Sequence, residues 1–168
     1  VITTNYDKLI ETAMTFVRGS PPAGYGWNSL ESLGSALFEG QFFVLKLHGD
    51  IDNPESIILT TQDYDQVMFR SPFMRTFLQS LFLNFTLLFV GYSLSDPDFQ
   101  LMLKEVNLIF SGSTPPHYAL LPDPHDFTSE HLMQRMNIQV IGYSSQDNHR
   151  EATEFLEVLQ KAKPCEAN

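Results

Sequence analysis

Cysteine is almost absent from this 168-residue chain: Cys165 is the only one. One thiol cannot close an internal disulfide or supply a four-cysteine zinc site, and such low usage fits a reducing, cytosolic setting. Basic residues are also scarce, with ten Lys and Arg against twenty Asp and Glu and a formal net charge of −10. A field of that sign repels phosphate backbones and anionic bilayers, so direct binding of nucleic acid or a membrane surface by this domain is not expected. Long apolar runs are missing too. The longest, around 81–90, is broken by Asn84 and Thr86 and is too short to span a bilayer. There is no signal-peptide pattern, internal repeat, P-loop lysine or Gly-x-Ser-x-Gly elbow. The chain also has no opening methionine and starts directly on Val1 and Ile2 of an expected core strand, which points to a fragment whose upstream portion is missing.

What is present is ample core material: 43% hydrophobic residues, with 14 Phe among them. Length and composition point to one domain over residues 1–168. Apolar runs bounded by turn residues read as buried strands at 1–4, Phe42 to His48, Leu87 to Tyr92, His117 to Leu121 and Ile138 to Ile141. Of these, the 87–92 run is the most apolar and is expected at the centre of a sheet. Helical spacing marks 5–17, 29–38, 62–70, a segment from Pro72, one opening at Ser95-Asp96-Pro97-Asp98 and running to Gly112, then 129–136 and 150–162. The Pro- and Gly-dense stretch 19–26 reads as a loop, and its Gly24-x-Gly26 has no preceding strand, so it is no phosphate cradle. Asp63 and Asp65 beside Tyr64 read as a solvated helix face. Alternating strands and helices predict a Rossmann-like three-layer α/β/α fold with a mainly parallel sheet.

Three strand ends deliver chemistry-bearing residues to what would be one edge of such a sheet, where ligands of open α/β sheets bind. They are Asn5-Tyr6-Asp7, His48-Gly49-Asp50 and Gly91-Tyr92-Ser93 with Asp96. Each has a plain structural reading. Asn5 or Asp7 serves as a helix cap, His48 is hydrogen-bonded in a turn with Asp50 as a cap just after it, and Ser95 and Asp96 open a well-capped helix. Each also has a functional one. Asn5 holds a water or a carboxamide, Asp7 accepts from a ligand, His48 relays protons near neutral pH, and Gly91 and Ser93 let a ribose or phosphate approach. His117 opens a strand, and His125, His131 and His149 lie in polar surroundings without metal-ligand spacing, so no metal site is expected.

Taken together, Thr4-Asn5-Tyr6-Asp7, Lys46-Leu47-His48-Gly49-Asp50 and Gly91-Tyr92-Ser93-Leu94-Ser95-Asp96-Pro97 resemble the sirtuin superfamily. The closer likeness is to its zinc-free, sirtuin-like branch found in prokaryotic antiphage defence proteins. The resemblance implies a Rossmann-like NAD-binding domain, here without its N-terminal β-α unit, because the family's Gly-Ala-Gly phosphate loop would precede Val1. It further implies catalytic roles for Asn5 (orienting the water that attacks the ribose C1′), Asp7 (holding the nicotinamide carboxamide) and His48 (base or relay at the ribose hydroxyls). Thr3, Thr4, Gly49, Gly91, Tyr92, Ser93 and Asp96 would bind the dinucleotide. With one cysteine there is no zinc ribbon, so NAD hydrolysis in the cytoplasm is expected, as an NAD-depleting effector of antiphage defence. The expected partners are a sensor subunit or other domains of the parent protein and further copies of itself. The alternatives are a non-catalytic NAD- or ADP-ribose-binding or assembly module, and a zinc-free ADP-ribosyl transferase or deacylase.

Overall fold

The computed structural model describes residues 1–70, 72–110 and 113–162. Its contacts divide the chain into two compact units, one spanning Val1–Leu78 and a second beginning at Gln79. The fold is α/β of the Rossmann-like kind: among the described residues every pairing between the strands is parallel, and helices lie between successive strands.

The first unit carries β1 (Ile2–Thr3), α1 (Leu9–Arg18), β2 (Ala23–Gly26), α2 (Leu30–Phe38), β3 (Phe43–Lys46), a 3₁₀ turn at Pro54–Ser56, and α3 (Thr61–Arg70). Its sheet runs β1-β3-β2, with β3 central and Val44 and Leu45 fully buried. α1 ends on Gly19 in the left-handed conformation (φ 80°), whose amide returns to the Thr15 carbonyl. α3 opens with a reciprocal cap: the Thr60 amide donates to Asp63 Oδ2 at 3.0 Å and the Asp63 amide to Thr60 Oγ1 at 3.2 Å. Asp63 is therefore a cap as well as part of a polar face. α4 (Pro72–Asn84) crosses the boundary into the second unit.

The second unit carries β4 (Leu88–Val90), α5 (Pro97–Phe110), β5 (His117–Pro122), α6 (Asp126–Met136), β6 (Ile138–Tyr143) and α7 (Gln146–Lys161), with its sheet ordered β4-β5-β6. Phe82, Phe89, Tyr92 and Phe99 form an edge-to-face cluster around His117, the closest ring pair being Phe82–Phe99 at 5.1 Å. Full burial of side chains such as Phe82, Met102 and Ile138 contributes about 1.5–3 kcal/mol each.

Three expectations are corrected. Ala23–Gly26 is a strand, not part of a loop: it pairs with Phe43–Lys46 in parallel register, so sheet pairing overrides the low strand propensity of its two glycines. β3 stops at Lys46, leaving His48 in the turn beyond it. β4 lies at the edge of its sheet and β5 is central; Val90 is half exposed, whereas Ala119 and Leu120 are buried. The first turn of α7 is left-handed at Asp147, Asn148 and His149, and right-handed helix begins at Arg150, as the spacing predicts. Gly112, read as the stop of α5, and Cys165 lie outside the described residues.

Candidate functional site

β1 and β3 are neighbours and parallel, pairing Ile2 with Leu45 and Thr3 with Lys46. Both strands therefore leave the sheet at the same carboxyl edge, and the two turns beyond them carry Asn5, Asp7 and His48. In the first turn the Asn5 amide donates to Thr3 Oγ1 at 3.1 Å, and the Leu9 amide donates to Asp7 Oδ1 at 3.0 Å. One oxygen of Asp7 thus caps α1, while Asn5 is exposed.

The second turn is built on glycine. Gly49 is buried with φ +99°, and a Cβ there would stand 2.2 Å from the Ser56 carbonyl oxygen and 2.7 Å from Ile57 Cα. Only glycine meets both demands. The close approach lets the Ile58 amide reach the His48 carbonyl at 2.9 Å and the Asp50 amide reach Ser56 Oγ at 3.0 Å. The Trp27 indole N–H donates to the Ser56 carbonyl at 2.8 Å, closing the other side. His48 is half-buried with its ring edge-on to Tyr64 at 6.2 Å.

The two turns are tied together. The Ile51 amide donates to the Tyr6 carbonyl at 3.0 Å, and the Tyr6 hydroxyl donates to the Ile58 carbonyl at 2.7 Å. A buried cation adds to this. Lys46, 2% exposed, donates to the Tyr6 carbonyl at 3.0 Å and also to the Asp7 carbonyl. Its Nζ lies 3.2 Å from Glu11 Oε1 and 3.7 Å from Asp50 Oδ2. Glu11 is itself buried, and its Oε1 also lies 3.7 Å from Lys8 Nζ, so its charge is met by both lysines. Lys8 completes the cluster, hydrogen-bonded to Asp50 and 3.5 Å from Asp52. Burial opposes the Lys8 charge, but the hydrogen bond and attraction of Asp50, backed by Glu11 and Asp52, outweigh it and raise its pKa. Burial likewise works to raise Asp50, yet the Lys8 hydrogen bond, the Asp52 amide and the nearby Lys46 bring its pKa below the usual carboxylate value.

In the second unit, Gly91, Tyr92, Ser93 and Asp96 follow β4. Gly91 (φ 63°) and the buried Leu94 (φ 55°) are both left-handed. Ser93 Oγ and Ser95 Oγ share a hydrogen bond at 2.7 Å, and the Phe99 amide donates to Asp96 Oδ1 at 3.1 Å. Asp96 is thus the cap of α5, with Pro97 in the first turn, while Ser95 bonds to Ser93. Tyr92 packs on Phe89 and Phe99, and burial with the charge of Asp96 pushes its pKa up to about 12, keeping it a neutral phenol.

Of the residues singled out from sequence, Thr3, Thr4, Asn5, Asp7, His48 and Gly49 thus meet at one sheet edge of the first unit. Gly91, Tyr92, Ser93 and Asp96 share one loop of the second. Sequence reasoning passed over Lys46 and Glu11. Their signal was a lysine inside the apolar run 42–47; such a residue must be paired if the strand is buried.

The SIR2-like domain family matches residues 1–141. The chain is 26% identical over 172 residues to the NAD(+) hydrolase ThsA of Bacillus cereus (strain MSX-D12), covering 94% of this chain and 35% of that protein. It is 28% identical over 178 residues to the NAD(+) hydrolase ThsA of Acinetobacter baumannii (strain 532279), covering 97% and 36%. It is also 28% identical over 140 residues to defense-associated sirtuin 2 of Bacillus subtilis, covering 82% of this chain and 13% of that one. The chain therefore spans about a third of the length of these ThsA relatives. Among the described residues, no helix is long and apolar enough to cross a membrane.

Proposed function

The chain belongs to the SIR2-like family, and on that premise we propose that it is the NAD-cleaving domain of an antiphage defence protein, hydrolysing NAD to nicotinamide and ADP-ribose. The observation that carries this reading is the joining of two turns at the carboxyl ends of neighbouring parallel strands, one bearing Asn5 and Asp7, the other His48. That edge is where α/β sheets take their ligands. The names of the ThsA relatives, which align with nearly all of this chain, support the same chemistry.

The reaction breaks the C1′–N bond between nicotinamide and ribose and adds water to C1′. As the bond breaks, the ribose becomes oxocarbenium-like, so the domain has to orient a water on one face of the sugar and favour departure from the other. Exposed Asn5 is suited to hold that water by its side-chain amide. Asp7, with one oxygen capping α1, is suited to fix the nicotinamide carboxamide. His48 is suited to exchange a proton with the ribose hydroxyls, and its turn is held rigid by Gly49 and Ser56. Thr3 and Thr4 frame the first turn, and the loop of Gly91, Tyr92, Ser93 and Asp96 in the second unit is suited by its serine hydroxyls to bind a ribose. Most of this power would be positional, since orienting reactants supplies a large share of such barriers. The protein would act in the cytoplasm without zinc, as a homo-oligomer under a sensor domain or subunit.

A non-catalytic NAD- or ADP-ribose-binding module is the second reading. It draws on Thr3, Asp7 and Asp96 each serving a local turn or cap. Nicotinamide release separates the two: a hydrolase yields nicotinamide and free ADP-ribose in equal amounts, and a binding module yields neither. Modified protein or acylated ADP-ribose would instead mark a transferase or deacylase. Loss of the imidazole in His48→Ala is expected to lower kcat by about 10²–10⁴-fold, with NAD still bound.

A further inference from the structure

Lys46 is buried in the middle of the first unit and donates to two successive peptide carbonyls, Tyr6 and Asp7, from a strand that ends two residues before His48. A buried ammonium is expensive unless its charge and its hydrogen bonds are both met. Here the charge is met by Glu11 at 3.2 Å and Asp50 at 3.7 Å, while the hydrogen bonds go to backbone. This division is informative. A lysine kept only to balance a carboxylate would have no need of peptide acceptors, yet two of its N–H groups go to the Tyr6 and Asp7 carbonyls. The bonds instead fix the peptide groups just after Tyr6 and Asp7, which set where Asn5 and Asp7 stand relative to the His48 turn.

We propose that Lys46 is a positioning residue of the NAD site: its ammonium fixes the Asn5–Asp7 turn against the strand that presents His48, and Glu11 is its buried counter-charge. This rests on the hydrolase reading above for its catalytic consequence, though not for its structural one. Lys46 touches no substrate. Its effect on the reaction runs through the spacing of the groups that do.

The test separates charge balance from positioning. Lys46→Met alone leaves the buried Glu11 only the more distant Lys8, 3.7 Å away, and is expected to lower the midpoint of thermal unfolding. Lys46→Met combined with Glu11→Leu removes both charges together, and Asp50 keeps its bond to Lys8. This pair is expected to recover the unfolding midpoint while kcat for NAD stays about 100-fold down and KM moves far less. The Asn5 and Leu9 amides, which bond to Thr3 and Asp7, should exchange hydrogen faster in the pair than in the parent chain, with β3 amides unchanged. The pair Lys46→Leu with Glu11→Met, which likewise removes both charges and every donor, is read the same way if the first pair does not fold. Recovery of stability and turnover together, or unchanged exchange at Asn5 and Leu9, would overturn the proposal. Failure of both balanced pairs to fold would overturn it as well, making Lys46 a folding residue. Should the parent chain release no nicotinamide, the hydrolase reading falls and the exchange measurement alone decides the role of Lys46.

Discussion

Gly49→Ala is the sharpest perturbation of the turn that presents His48. Two separate costs arise. The left-handed backbone, φ +99°, costs an alanine about 1–2 kcal/mol. In addition, the new methyl would lie 2.2 Å from the Ser56 carbonyl oxygen, where ordinary contact begins at 3.4 Å. The obstacle is backbone, so it cannot swing aside as a flexible side chain would. For Ser56 to retreat, three hydrogen bonds must stretch: Ile58 N to His48 O at 2.9 Å, Asp50 N to Ser56 Oγ at 3.0 Å, and Trp27 Nε1 to Ser56 O at 2.8 Å. At about 1 kcal/mol each they bring the total to roughly 4–5 kcal/mol. Gly40→Ala is the control. Gly40 also has a positive φ, +66°, but nothing lies within 4 Å of the added Cβ, so only the backbone cost of about 1–2 kcal/mol applies. Trp27 is the chain's single tryptophan and bonds directly to Ser56, so its fluorescence in a urea titration reports on this turn. Equal losses for the two variants would refute the reasoning, because they would mean that the approach of Ser56 to Gly49 carries no energy.

His117 is buried, its pKa is lowered by desolvation, and its Nδ1 accepts the Leu87 amide at 3.2 Å. As pH falls below 6.5 the unfolded chain therefore takes up the proton first, and stability should be flat above that value and decline below it. His117→Gln should flatten the decline in unfolding midpoints measured across the range. Asp50 has a lowered pKa, so its contribution is present above 3.8 and lost as pH falls through the lower folded value; Lys8→Met should shrink that acid-side loss in the same titration. Tyr6→Phe removes the hydroxyl bonded to the Ile58 carbonyl and should cost about 1 kcal/mol by Trp27 fluorescence. Asn137 has φ 55° and its side-chain amide donates to the Thr114 carbonyl at 3.0 Å. Asn137→Ala should therefore be less stable than Asn137→Gly by about 1–2 kcal/mol in chemical denaturation, since glycine keeps the left-handed backbone at no steric cost.

The elements with strong periodicity were legible from the chain alone. α4 and α5 declare themselves by apolar spacing and by Pro72 and Pro97 in their first turns, and β5 and β6 by short apolar runs. β2 was not legible, because Ala23, Gly24 and Gly26 have no intrinsic preference for a strand; the pairing partner Phe43–Lys46 creates it. Sheet order was hidden for a similar reason. Apolar content made Leu88–Val90 look central, whereas the strand with partners on both sides is β5. At the candidate site, Asn5, Asp7, His48 and Gly49 drew notice because they follow apolar runs at expected strand ends, where open α/β sheets take ligands. Lys46 was hidden by its neighbours: an isolated cation in an apolar run gives no hint of which carbonyls it will meet. Those carbonyls belong to Tyr6 and Asp7, some forty residues earlier, and only the parallel register of β1 with β3 brings them within reach.

The most direct test of the central claim is nicotinamide release from NAD by the 168-residue chain and by any longer form that carries it. Parallel reactions should contain Asn5→Ala and His48→Ala, and NAD binding should be measured on the same samples. Hydrolysis at this site predicts equal amounts of nicotinamide and free ADP-ribose, with release lost in both variants while the fold persists. NAD bound without release by the parent protein, or release undiminished in His48→Ala, would contradict it.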